Sequence, residues 1–145
     1  MDKDEDLINE RSGGVSAIFW AILEGRVAVL DELITRDVNL LLTDHSGYIP
    51  LEVAIVRADV KELEENFNEE GKTRRLVIIE RLLAADDEKE TINHVQDPDG
   101  YPPETPLDKA ILFNGNYGID AHKDSQRIIK ILKEAGAKTY NELTL

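Results

Sequence analysis

The chain has 145 residues, a formal net charge of −13 at pH 7 and 41% hydrophobic residues. This length is sufficient for one domain with its own core, and the composition is that of a globular rather than a disordered protein. The absence of cysteine excludes disulfides, cysteine-based zinc sites and thiol nucleophiles. The negative charge opposes direct binding to nucleic acid or anionic membranes, so we expect a cytoplasmic protein without a secretory leader or a membrane-spanning segment.

The first third of the chain predicts an acidic lead followed by two helices. Residues 1–13 are charged and are expected to act as an N-terminal lead or cap. Ser16 can cap a helix that runs to about Glu24, and a second apolar pattern predicts a helix over residues 27–35. Trp20, the only tryptophan, lies at helical spacing within the first pattern, and we expect it to pack into the core or beneath a terminal cap. The alternative is that it anchors an interface.

A turn and a longer helical hairpin are predicted next. Asp44 can bond the backbone two residues on, and Gly47 allows positive φ, so residues 44–47 are predicted to form a tight turn. A helix should begin at Pro50, and the apolar spacing that continues to Phe67 predicts that it is extended by about two turns. Residues 59–73 are thus an insertion, and residues 74–85 are expected to return as a long helix.

The last third of the chain contains the clearest helix signals. Thr105 is a good N-cap and Pro106 suits the first helical position, where a missing N–H costs nothing. After an inserted loop at residues 114–124, an apolar stripe predicts a second helix that ends at Gly136. Residues 138–145 are expected to cap this final pair of helices.

These segments are copies of one unit. Gly14 and Gly47 are 33 residues apart, as are Ala21 and Ala54, and residues 105–111 repeat the pattern of residues 49–55. This period resembles the ankyrin repeat and its T-P-L-H-x-A core. The resemblance implies an all-α solenoid of stacked helix-turn-helix pairs with short β-turn fingers, in a domain over residues 14–145 with repeats at about 14–46, 47–99 and 100–137. The family's histidine is replaced by Phe19, Glu52 and Asp108, so we expect its imidazole hydrogen bonds between repeats to be lost.

The resemblance also implies a function, because ankyrin arrays bind proteins through their finger tips and the concave face of their first helices. Tyr48 and Tyr101 follow the finger glycines of two copies, and repeated tyrosines are suited to recognition; the alternative is that they pack finger against finger. The expected partner-binding residues are His45, Ser46, Tyr48, Val56, Arg57, Asp99, Tyr101, Leu112 and Phe113.

No pattern of catalytic residues is recognisable, so we expect no enzyme, cofactor or metal site. His45, His94 and His122 lie in different connectors and do not form a zinc or triad pattern. We expect a monomer that binds a partner protein, as an inhibitor or immunity-type protein, or as an effector. The acidic charge either keeps the chain soluble or attracts a basic partner. The alternatives are an interaction domain of a larger or multi-subunit enzyme and a scaffold with no single partner.

Overall fold

The computed structural model describes residues 11–12, 15–57, 63, 65–67, 71–96, 102–112 and 124–145. In these ranges two short strands, β1 (Arg11–Ser12) and β2 (Val15–Ser16), pair antiparallel. The helices in the same ranges are α1 (Ala17–Leu23), α2 (Val27–Thr35), α3 (Pro50–Val56), α4 (Arg74–Ala85), α5 (Pro106–Leu112), α6 (Ser125–Glu134) and α7 (Tyr140–Leu143). The protein is therefore mostly helical, as predicted. No helix in the described ranges is long and apolar enough to cross a bilayer.

The helices pack in pairs and in rows. Three contacting pairs follow one another along the chain: α1 with α2, α3 with α4, and α5 with α6. The first helices contact each other in the order α1, α3, α5, and the second helices in the order α2, α4, α6. We call these the first-helix row and the second-helix row. The core lies where pairs and rows meet, and Leu30, Ile55 and Ile79 are fully buried there.

The predicted helix starts are confirmed at the second and third pairs. Pro50 and Pro106 are the first residues of α3 and α5, where the missing N–H of proline leaves no hydrogen bond unmade. The Thr105 hydroxyl accepts the N–H of Asp108 at 3.3 Å. Thr73 caps α4 in the same way, since its hydroxyl accepts the N–H of Leu76 at 3.2 Å. Each cap satisfies an N–H that the first helical turn leaves unpaired.

The predicted extension of the second copy's first helix is wrong where the structure describes the chain. Helix α3 ends at Val56, and residues 65–67 are not helical. The physical reason is the fully buried Arg75, whose guanidinium donates hydrogen bonds to the carbonyl oxygens of Ala54 and Arg57. These carbonyls belong to the last turn of the helix, so a side chain of α4 provides its C-terminal cap. Leu63 is itself helical and fully buried, but Arg57, which is not helical, separates it from α3.

Helices α2 and α6 end with the same hydrogen-bond pattern, although different residues occupy the position after each helix. Asp37 has φ of 61° and Gly136 has φ of 99°. The next residue then donates back into the helix, Val38 to Leu33 at 3.1 Å and Ala137 to Leu132 at 2.9 Å. Both ends are Schellman-type caps, which favour glycine at the left-handed position. Asp37 therefore adopts a conformation that is unfavourable for its side chain.

Trp20 does not pack into the core. Its side chain is 50% exposed, whereas its neighbours Phe19 and Ala21 are each 2% exposed. The equivalent residues of the other first helices, Val53 and Lys109, are buried, and the Lys109 ammonium lies 3.3 Å from Glu52 of the preceding pair. Trp20 occupies the corresponding side of α1, in the first pair. The expectation that Trp20 is buried was therefore wrong, because the described residues place no helix pair against that side.

Candidate partner-binding surface

The predicted finger at residues 44–47 is a tight turn held by one carboxylate. Asp44 Oδ1 accepts the N–H groups of Ser46 and Tyr48, both at 2.9 Å. Gly47 closes the turn with φ of 82°. A Cβ at Gly47 would lie 3.3 Å from Nε2 of Gln96, which donates a 2.8 Å hydrogen bond to the Ser46 carbonyl. The finger is thus tied to the next connector, with its local turn chemistry as predicted.

The finger presents two exposed side chains and one partly buried ring. His45 and Ser46 are exposed at the tip. Tyr48 is partly buried, with the Lys109 ammonium 5.4 Å from its ring centroid, a cation–π distance. Burial raises the pKa of Tyr48 above its ordinary value, and the negative charges of Glu104, Asp44 and Glu52 raise it further. Tyr48 therefore has a packing role within the molecule, and His45 and Ser46 are the finger side chains most accessible to a partner.

A buried ionic cluster lies beneath Tyr48. Glu52 is fully buried in α3 and Lys109 is 2% exposed in α5. The Lys109 ammonium lies 3.3 Å from Oε2 of Glu52 without the alignment of a hydrogen bond, so their attraction is mainly one of charge. The same ammonium donates a 3.3 Å hydrogen bond to Glu104. His94 Nδ1 lies 3.4 Å from Oε1 of Glu52. The cluster joins the second helix pair to the third.

Carboxylates at equivalent positions have equivalent partners. Glu52 accepts the N–H of Ile49, three residues earlier, at 3.0 Å, and Asp108 accepts that of Thr105 at 2.9 Å. Each then reaches the following unit, Glu52 through Lys109 and Asp108 through the N–H of Tyr140 at 2.8 Å. The carboxylates thus provide links between units at two of the positions where the sequence analysis expected links to be lost with the family's histidine.

A third carboxylate extends the pattern to α7. Glu142 accepts the N–H of Thr139 at 2.9 Å, and the Thr139 hydroxyl accepts the N–H of Glu142 at 3.2 Å. The hydrogen bonds from the Thr139 backbone and hydroxyl lower the pKa of Glu142. The Thr105 hydroxyl donates to the Lys138 carbonyl at 2.6 Å, which fixes this segment on α5. Helix α7 therefore begins like a fourth first helix, which the sequence analysis had treated only as a cap.

The remaining predicted contact residues differ in accessibility. Val56 is 9% exposed because α3 is enclosed by its neighbouring helices, so it is a poor candidate for a partner contact. Arg57 is partly buried, and its carbonyl accepts the 2.7 Å hydrogen bond from Arg75. Leu112 is partly buried at the end of α5. Asp99, Tyr101 and Phe113 lie outside the described residues, so the predicted pairing of Tyr48 with Tyr101 stays a prediction.

Leu112 lines a groove on the described surface. The groove has a volume of about 560 Å³ and lies between the segment before α5, helix α5 itself and helix α7. Its lining is largely apolar, with carboxylates at the margin; the residues are Pro102, Pro103, Glu104, Asp108, Ile111, Leu112, Tyr140 and Asn141. It therefore offers a partner an apolar floor beside negative charge.

A second groove is acidic. It has a volume of about 350 Å³ and lies between the connectors that follow α2 and α4. Asp37, Asp87, Glu88 and Glu90 line it, and the last turns of both helices contain no basic residue. Helix C-termini carry partial negative charge, so the field of this groove favours cations. Asp86 differs from its neighbours because it is buried and accepts the N–H groups of Glu90 and Thr91, both at 2.9 Å.

The described residues contain no group of three or more histidine, aspartate or glutamate side chains placed to hold a metal ion. The ionic cluster was the main feature that sequence reasoning missed. A charged residue, Lys109, stands where the preceding copy has Val53, and the position immediately before it carries an acid in both copies, Asp108 and Glu52. Comparing these two neighbouring positions between the copies would have indicated an ion pair between units.

Comparisons of the chain with protein-family models, with curated proteins and with solved structures gave no match.

Proposed function

We propose that this chain is a protein-binding module of the ankyrin-repeat type, and that it binds a basic partner on the side of its fingers and first-helix row. The observation that carries the proposal is the repeated carboxylate. Glu52 and Asp108 stand at the same position of successive units, cap their own helices and link to the following unit. A chain built by stacking such units forms an extended surface, which is the form that repeat proteins use to bind partners.

The charge distribution supports a basic partner. The net charge is −13, and acidic side chains line the groove beside the α2 and α4 connectors. A field of one sign attracts a partner of the opposite sign and accelerates its association, which weakens as salt is added. Accessible finger side chains at His45 and Ser46 provide the contact. Together these features fit an inhibitor that neutralises a basic protein such as a toxin or nuclease.

The test is an affinity capture from native lysate with the immobilised chain, at low and at raised salt, with captured proteins identified by mass spectrometry. We expect a basic protein that is retained at low salt and released as salt rises. Ser46→Arg, which adds a positive charge at the finger tip, should weaken the capture. The matched control is Gln126→Arg, which makes the same change on exposed α6 in the second-helix row. A partner retained equally by wild type and Ser46→Arg would refute the proposed surface.

A further inference from the structure

Equivalent residues of the three helix pairs differ in burial in a regular way. In the second helices, Val29 is 42% exposed, whereas its equivalents Ile78 and Ile128 are 0% and 1% exposed. In the first helices, Trp20 is 50% exposed and its equivalents Val53 and Lys109 are buried. Lys109 contacts the preceding pair through Glu52, 3.3 Å from its ammonium. Trp20 and Val29 belong to the pair that has no described helix pair before it, so their exposure marks an open side of the first pair. We call these two residues the N-terminal edge.

The opposite side of the stack shows the complementary difference. Ile22 and Ile55 are fully buried at the junctions between pairs, but the equivalent Ile111 is only partly buried. In the second helices Leu30 and Ile79 are fully buried, and the equivalent Ile129 is only partly buried. We call Ile111 and Ile129, with the 38% exposed Leu143 of α7, the C-terminal edge.

Helix α7 covers the C-terminal edge incompletely. It has no buried residue, and a groove lies on each side of it, one of about 560 Å³ and one of about 450 Å³. Ile111 lines both grooves. At the upstream junctions the next helix pair packs against the preceding one, and its residues Val53 and Ile78 are buried. The C-terminal edge therefore has the form of a surface that receives an N-terminal edge.

The charges of the two edges permit contact between copies. Residues 15–36 contain three acidic and two basic side chains, and residues 124–145 contain three acidic and four basic side chains. These charges cancel, so the net charge of −13 is carried by the rest of the chain. The charges within these two segments therefore add no net repulsion to an end-to-end contact, and the five acidic side chains among residues 2–10 precede the first pair in the sequence.

We propose that a second copy of this chain occupies the C-terminal edge, and that copies associate head to tail through Trp20 and Val29 of one chain and Ile111, Ile129 and Leu143 of the next. The two surfaces differ, so each bound copy leaves one edge open, and the contact can be repeated along a line of copies. Trp20 is the anchor, because a buried tryptophan removes a large apolar area from water. Added salt strengthens this contact by screening the remaining repulsion, which is the opposite of its effect on a basic partner.

Sedimentation velocity on the purified chain tests this inference without any partner, so its outcome leaves the proposed function untouched. We expect an average mass that rises above 16.3 kDa with concentration, and more strongly at raised salt. Trp20→Glu and Ile129→Glu should each weaken self-association by about 30-fold or more. Leu143→Glu is the second C-terminal variant, since Ile129 is partly buried and its substitution could disturb folding.

The decisive experiment mixes Trp20→Glu, which alters the N-terminal edge, with a variant that alters the C-terminal edge. Trp20→Glu retains the C-terminal edge and a C-terminal variant retains the N-terminal edge, so mixing them should produce a complex of two chains and nothing larger. A wild type that stays at 16.3 kDa throughout the series, as the sequence analysis expects of a monomer, would overturn the inference. Association that persists in Trp20→Glu alone, or a mixture that forms no complex, would overturn it as well.

Discussion

Replacing Lys109 by Met should destabilise the protein strongly, because it leaves the fully buried Glu52 without its cation. The two charges lie 3.3 Å apart, which corresponds to a gross attraction of about 5 kcal/mol at an effective dielectric constant near 20. Removing one partner of a buried pair costs about 3–5 kcal/mol, because the other charge stays desolvated. For a chain of this length, that loss lowers Tm by about 10 °C.

The opposite substitution, Glu52→Gln, should cost less, about 1–2 kcal/mol. Lys109 keeps its 3.3 Å hydrogen bond to Glu104 and its position over Tyr48, and the Gln amide oxygen can still accept the Ile49 N–H. The double variant should lose less stability than the sum of the single variants by about 1 kcal/mol or more, because the two charges are removed together.

Urea denaturation followed by far-ultraviolet circular dichroism measures these differences. Lys130→Met is the matched control, since its side chain is 76% exposed and 4.0 Å from Glu134, and it should change stability by less than about 0.5 kcal/mol. The reasoning is refuted if Lys109→Met costs less than about 1 kcal/mol, or if the single losses add to the double loss within about 0.5 kcal/mol.

Three further predictions follow from single positions. Phe19→Ala should lower the free energy of unfolding by about 3–5 kcal/mol, because Phe19 is only 2% exposed. Trp20→Ala should lower it by about 1 kcal/mol or less, because Trp20 is 50% exposed. Equal losses of the two variants on denaturation would contradict this. Asp37→Gly should stabilise the protein by about 1 kcal/mol, because Asp37 has a φ of 61°, which glycine adopts without strain. Asp37→Ala should not stabilise it, because alanine keeps the strain. An equal gain in Tm for both variants would exclude backbone strain as the cause. Burial opposes ionisation of Asp124, but hydrogen bonds from Thr73 and the charge of Arg127 hold its pKa below the usual 3.8. Its contribution is therefore present above that value and lost as pH falls below it, so Asp124→Asn should reduce the acid dependence of stability; an unchanged pH profile would contradict this.

Local signals were sufficient for most helices. Thr105 and Pro106 alone were enough to predict where α5 begins. The apolar spacing of α6 was enough to predict which of its residues are buried. The turn at Asp44 and Gly47 could also be predicted from local sequence. The hydrogen bond from the Ser46 N–H to the Asp44 carboxylate and the positive φ of Gly47 depend on no distant contact. These features confirm the helical class and the turn.

The errors involve contacts between distant residues. Periodicity alone extended α3 toward Phe67, but Arg75 ends that helix by binding carbonyls 18 and 21 residues earlier in the chain. Trp20 has the helical spacing of a core residue, yet whether a helix side is buried depends on the presence of a neighbouring pair. Neither the end of α3 nor the exposure of Trp20 can be predicted from a short stretch of sequence.

The candidate site was only partly predictable for the same reason. The tip residues His45 and Ser46 were chosen from the turn and are exposed, whereas Val56 was chosen from the position of its helix and is buried. The sequence showed that Glu52 replaces the histidine of the resembled family. It did not show that Lys109, 57 residues later, would lie 3.3 Å from it.

The most direct test of the central claim, that a basic partner binds on the finger side, is the affinity of the captured partner measured by titration calorimetry at two salt concentrations. The account predicts binding by the wild type that weakens at raised salt, a clear loss in Ser46→Arg and no more than a small loss in Gln126→Arg. Equal losses in the two variants would show a general charge effect without a finger site. Binding that is insensitive both to salt and to Ser46→Arg would contradict the account.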